Sequence, residues 1–153
     1  MNIREAECRN AEAISVLAIT LSKKYVTSEF PASVTKAFLN SMTSEAIENN
    51  LRNAFRYHIA EINDRVIGAI GIKDNSHLYH LFVSENHHRK GVARKLWNTA
   101  KETCIANGNN EGFTVNSSKY AQEVYEKLGF VAQSGQQERN GVVTTPMKLK
   151  INY

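Results

Sequence analysis

The chain is poor in the residues that announce a stapled, spanning or fibrous protein. It has two cysteines, Cys8 and Cys104, far apart and outside any C-x-x-C, which points away from a disulfide framework and from a thiolate metal site. It has two prolines, and no apolar run long enough to cross a bilayer. Its first residues, Met-Asn-Ile-Arg-Glu-Ala-Glu, lack the apolar stretch of a secretory signal, so a soluble, cytoplasmic protein without membrane contact is expected. The net charge is only +4 and it is dispersed, which suits an anionic ligand but argues against nucleic acid. What is present is an ordinary globular balance, 42% hydrophobic and 22% charged over 153 residues, so one domain over residues 1–153 with its own core is expected.

The most informative stretch starts as strand formers, His77-Leu-Tyr-His-Leu-Phe-Val83. It passes through Ser-Glu-Asn-His-His-Arg-Lys-Gly91 and continues as a helix with Val92, Ala93, Leu96, Trp97, Ala100 and Cys104 on one face. A basic loop and a glycine feeding a helix leave backbone N–H groups without intrahelical partners, at the positive end of the helix dipole. That is an anion site, read here as the phosphate grip of a cofactor. Neither G-x-G-x-x-G nor G-x-x-x-x-G-K-[ST] is present, since Gly91 is the only glycine between Gly71 and Gly108.

Elsewhere the chain alternates helix and strand signals. A short strand over Asn2 to Glu7 precedes a helix from about Asn10 carrying Ile14, Leu17, Ala18 and Leu21. After a break at Tyr25 to Pro31 come a helix with Val34, Ala37, Phe38 and Leu39, then another capped by Thr43 or Ser44. From Phe55 the period changes to two. Asn63-Asp64 and Asn75-Ser76 are the turns of a three-strand antiparallel meander ending in the strand at His77. The helix from Val92 should stop near Asn107-Gly108, and a strand at Phe113-Thr-Val115 should lie parallel to the one at His77. Val131 to Gln137 and Val142 to Ile151 form a closing hairpin through Asn140-Gly141, with Pro146 marking an edge or a bulge.

Two motifs resemble one known family. His88-Arg-Lys-Gly91-Val-Ala93 is similar to the [Q/R]-x-x-G-x-[G/A] acetyl-CoA loop of the GNAT superfamily of N-acetyltransferases, with His88 in place of the usual Gln or Arg. Asn116, Ser117, Ala121, Tyr125, Gly129 and Phe130 match that family's N-[ST]-x-x-x-A-x-x-x-Y-x-x-x-G-F segment. The resemblance covers nearly the whole chain and implies an α/β (α+β) fold, a mixed, mostly antiparallel central sheet flanked by helices. It implies acetyl-CoA as cosubstrate, held by Leu81, Phe82, Val83, His88, Arg89, Lys90, Gly91, Val92, Ala93, Arg94, Asn116, Ser118 and Ala121. It implies Tyr125 as the acid that protonates the leaving thiolate, and it leaves room for a homodimer.

His77 stands where several such enzymes carry a base, and its intrinsic pKa suits proton removal near neutrality. Strict alternation puts Tyr79 on the face of His77, and His80 on the other face as a core histidine. By the same alternation, His77, His80, His87 and His88 do not converge, so no metal site is expected. The acceptor would be a small-molecule amine or a peptide. The competing reading is a non-catalytic acyl-CoA-binding sensor or interaction module, which needs the loop and strand but no Tyr125.

Overall fold

A computed structural model describes residues 1–151. The chain opens with β1 (Asn2–Glu5) and the helices α1 (Ala11–Tyr25), α2 (Ala32–Asn40) and α3 (Ser44–Arg52). The meander follows as β2 (Phe55–Ile62), β3 (Arg65–Lys73) and β4 (His77–Val83), then α4 (Val92–Ala106) and β5 (Gly112–Ser117). The chain continues through α5 (Gln122–Lys127), β6 (Val131–Ala132), β7 (Gln137–Arg139) and β8 (Val142–Lys150). The sheet order is β1-β2-β3-β4-β5-β8-β6, with β7 pairing a second part of β8. All these pairings are antiparallel except β4 with β5. The mixed, mostly antiparallel sheet is therefore as expected from the resemblance.

Each face of the sheet buries its own helices. On one, Leu96, Trp97, Ala100 and Cys104 of α4 pack with Ile70, Ile72, Leu78, Phe113 and Phe130. Trp97 anchors this layer, edge-on to Phe113 at 4.9 Å and tilted against Phe130 at 5.3 Å. On the other face Ile14 of α1 and Ile47 of α3 pack with Tyr57, Ile59 and Ala69. Among the described residues, no helix is long and apolar enough to cross a membrane.

The turns show why the chain reverses where it does. Asn63 and Asp64 both take positive φ, 51° and 64°, as a two-residue hairpin requires, and Asn140-Gly141 does the same at 53° and 81°. The turn before β4 falls one residue earlier than expected, on Asp74 and Asn75 with φ of 51° and 60°. Ser76 instead receives the amide of Thr114 on its carbonyl at 3.0 Å. Thr43 caps α3, its side chain accepting from Ala46 N at 3.2 Å. Gly129, at φ 104°, ends α5 while Phe130 N donates back to Tyr125 O at 3.0 Å.

Pro146 is not on an edge. β8 lies between β5 and the β6–β7 side, and Pro146 sits opposite Asn116. Gln133 N donates to Pro146 O at 2.9 Å, just beyond the end of β6. The proline nitrogen therefore faces Gln133, so the reciprocal bond of that pair is missing where β6 ends, while the β5–β8 ladder is untouched.

Gly71 marks a close approach: a Cβ there would stand 2.5 Å from the Tyr57 ring. We expect Gly71→Ala to lower stability by about 1–3 kcal/mol, since neither the buried ring nor the strand has room to yield. Urea unfolding checks this, with an unchanged midpoint refuting the contact.

Candidate active site

The site forms where two neighbouring strands separate. β4 and β5 pair only through His77↔Thr114 and Leu78↔Val115. Beyond that point β4 continues along β3 to Val83, while β5 follows β8 to Ser117. The gap is part of a cleft of about 1440 Å³, lined by β4, the loop into α4, the start of α5, the segment from α1 to α2, and the β7–β8 hairpin.

At one wall of this cleft the backbone supplies the chemistry. Gly91, at φ 77°, is the N-cap of α4, and the first helical bond is Lys95 N to Gly91 O at 3.1 Å. The amides of Val92, Ala93 and Arg94 precede that bond and have no intrahelical acceptor. Arg89 is also left-handed, at φ 61°, a costly conformation for a side chain other than glycine and one often kept for function. His88 contributes differently from the expectation that its amide belongs to the grip. Its N–H donates to Glu85 O at 3.2 Å, and its Nε2 lies 2.6 Å from Val83 O, tying the loop back to the strand. Arg94 lines the cleft with Nη2 donating to Lys127 O at 2.8 Å, which braces the C-terminal end of α5. The available donors therefore run from Arg89 through Lys90 and Gly91 to Arg94's amide.

Across the gap, Asn116 is exposed at the end of β5. Ser118 Oγ accepts from Ala121 N at 3.2 Å and shapes the turn that leads into α5. Leu81, Phe82, Val83, Asn116, Ser118, Ala121 and Tyr125 all line the same cleft. Tyr125 is 6% exposed, packed edge-on against Phe130 at 5.9 Å. Burial alone pushes its hydroxyl pKa upward, so it stays protonated and can only donate a proton, not serve as a base. Tyr25 and Tyr120, absent from the sequence expectations, stack at 4.5 Å and 11° between the end of α1 and the approach to α5.

β4 carries the main correction. The register shifts opposite Gly71 and Ile72, so Tyr79 is the extra residue of a β-bulge. Alternation restarts there: His77 pairs Lys73 and His80 pairs Gly71, both on the face that holds Tyr57. His77 and His80 thus share a face, contrary to strict alternation, and Tyr79 joins them, edge-on to Phe55 at 5.1 Å. Among the described residues no three His, Cys, Asp or Glu side chains converge as a metal set would. His77 Nδ1 lies 2.7 Å from Thr114 Oγ1. Burial, then the charge of Lys73, hold the His77 pKa below the usual imidazole range, with Asp74 opposing.

His80 is built into a buried relay. Asn50 Nδ2 donates to Tyr57 Oη at 3.2 Å, and Tyr57 Oη lies 2.8 Å from His80 Nδ1. With the phenol oxygen accepting from Asn50, its proton goes to Nδ1, which leaves Nε2 as the N–H of a neutral ring. No local sequence signal marks this partnership, because it depends on the bulge.

The profile of the GNAT acetyltransferase domain matches residues 12–151. The chain belongs to this family. No curated protein matches it by sequence comparison. Among solved structures it is similar to a GCN5-related N-acetyltransferase from Rhodopseudomonas palustris, at 18% identity and TM-score 0.83, covering 98% of this chain and 95% of that one. It is similar too to the PaiA N-acetyltransferase of Thermoplasma acidophilum in complex with coenzyme A, at 15% identity and TM-score 0.82, covering 98% of each chain. A third is an aminoglycoside 6′-N-acetyltransferase complexed with coenzyme A, at 15% identity and TM-score 0.68, covering 98% of this chain and 97% of that one. At these identities the likeness establishes the GNAT fold.

The buried neutral His80 gives this GNAT domain a definite acid sensitivity. Burial brings its pKa down to about 3 from 6.5, so the unfolded chain binds the proton first. Stability from this group is complete above pH 6.5 and falls as the pH drops from there toward 3, by roughly 1.4 kcal/mol per unit at most. Urea midpoints from pH 7 to pH 4.5 should fall at least along that slope, since burial also holds His58 and His77 below the usual imidazole range, and His80→Gln should reduce it. An equal slope in the variant would place the sensitivity elsewhere.

Proposed function

We propose that this GNAT domain is an acetyl-CoA-dependent N-acetyltransferase that moves an acetyl group to a primary amine. The observation that carries the reading is the divergence of β4 from β5 beside the uncapped amides of α4, with Tyr125 at the same cleft. The amides of 89–94 would hold the cofactor's pyrophosphate, which favours backbone donors at a helix N-terminus. The unpaired inner edges of β4 and β5 would accept the amide-bearing arm of the cofactor as a strand-like guest.

Acetyl transfer needs three things from the chain. The amine must lose a proton, the thioester carbonyl must be met as an electrophile, and the departing thiolate must gain a proton. We assign the first to His77. In the tautomer whose Nδ1–H donates to Thr114 Oγ1, 2.7 Å away, Nε2 keeps its lone pair, and the lowered pKa keeps that lone pair free in mild acid. We assign the last to Tyr125, whose protonated hydroxyl stabilises developing charge on sulfur more than it stabilises the bound thioester.

Tyr125→Phe retains the ring's packing and removes the donor. We expect turnover to fall by about 10²–10⁴-fold while CoA affinity by calorimetry is unchanged, the signature of a general acid. CoA binding without transfer by the wild type across a broad amine panel would instead favour a sensor.

For His77, the acidic limb of kcat/KM should lie below pH 6.5 in the wild type, because a lowered pKa extends the basic form downward. His77→Ala should lose rate most on that limb. An unaltered limb would move the base to water or to another group.

A further inference from the structure

The acceptor half of the cleft has a composition that the phosphate grip does not explain. α2 keeps part of every residue accessible, yet Phe38 on it turns into the cleft, edge-on to Phe30 at 5.6 Å. Facing the same space, the bulge presents Tyr79, 41% exposed, with His80 at 4.5 Å and Phe82 beyond it at 5.4 Å from His80. An aromatic ring left that open on a central strand has apolar surface to cover. The β7–β8 hairpin closes over α2, where a Cβ at Gly141 would stand 2.6 Å from Val34.

Charge sorts the candidates. Glu123 is the one carboxylate among the described residues lining the cleft. It lies on α5 with the cofactor-facing residues and already has Lys127 at 3.7 Å. A polyamine or an aminoglycoside brings further ammonium groups, and each needs a counter-charge once water is displaced. Nothing described on the acceptor walls supplies one. His80 cannot, being neutral with Nδ1 spent on Tyr57, but its Nε2–H can donate to a neutral oxygen or a ring face.

We propose that the acceptor is a small primary monoamine with an aromatic body, its ring held between Phe30 and Phe38 on one side and Tyr79 and Phe82 of the bulged strand on the other. This rests on the acetyl-transfer reading, and it narrows the acceptor to one chemical class. Ring–ring contact and exclusion of a second cation together set the preference.

The test uses the full chain with acetyl-CoA, following thiol release with phenethylamine, butylamine, spermidine and kanamycin. Phenethylamine should exceed butylamine in kcat/KM by about 10- to 100-fold, the range an apolar pocket supplies. Phe38→Ala, on the accessible helix α2, should erase most of that gap by raising KM for phenethylamine, with CoA affinity and far-UV circular dichroism unchanged. Spermidine or kanamycin turned over as well as phenethylamine would overturn the proposal and leave the acetyltransferase reading standing. If no amine is acetylated, ligand-observed NMR of phenethylamine with the CoA-loaded protein decides separately. Binding that Phe38→Ala abolishes upholds the acceptor class while transfer fails, and absence of binding overturns it.

Discussion

The parting of β4 from β5 is the constraint on which the rest of this structure depends. A parallel pair that persists for only His77↔Thr114 and Leu78↔Val115 leaves peptide groups on both inner edges without ladder partners. The fold tolerates this because each strand has a full partner on its outer side, β3 for β4 and β8 for β5. The strands can therefore be rigid and apart at once. Even Pro146 serves that arrangement: its missing donor faces the β6 side, so the β5–β8 ladder that holds β5 in place is untouched.

Beside that fixed gap, the bulge at Tyr79 sets which side chains of β4 face the cleft. One extra residue in β4 brings His80 to the face that His77 and Tyr79 share. Gly71 then has to be a glycine, because the Tyr57 ring fills the place of its side chain in order to reach His80. Asn50 from α3 completes the chain of bonds, so a helix on the far side of the second core layer fixes the tautomer of a ring in the cleft. The Tyr57–His80 bond is buried, while Asn50 at the outer end of the relay is half-buried. That is the arrangement in which a neutral imidazole is held in one orientation at little cost in unsatisfied groups.

What could be read from the sequence followed the backbone. The helix stripe from Val92 to Cys104, the hairpin turns at Asn63-Asp64 and Asn140-Gly141, the helix-opening Gly91 and the glycine stop at Gly129 are local patterns with local causes. The structure realises each of them. The shared face of His77 and His80 was not legible, because alternation counts residues and a bulge adds one without a composition of its own. Nor were the His80–Tyr57 bond, spanning 23 residues, or the Tyr25–Tyr120 stack, since both are products of tertiary placement. The roles of His88 and Arg94 in bracing Val83 and Lys127 were hidden for a related reason. The sequence places a basic side chain beside an anion loop but does not name the carbonyl that it also meets.

On the reading proposed above, this contrast would divide the cleft by the kind of group that recognises each ligand. The proposed cofactor wall offers amides, a left-handed Arg89 and Gly91, and a helix terminus, so it would require a backbone path and few particular side chains. His88 can stand in the place of a Gln or Arg for that reason: its ring holds the loop to Val83 O while the donors lie beyond it. The acceptor wall consists of side chains on α2, on the bulge of β4 and on the β7–β8 hairpin, none of which the amides need. Substitution there changes the shape and charge offered to an amine without disturbing the strand geometry that sets the gap. Cofactor recognition and acceptor choice would thus be separable in this fold, meeting at the bulge, where the backbone irregularity and the aromatic side chains belong to the same residues.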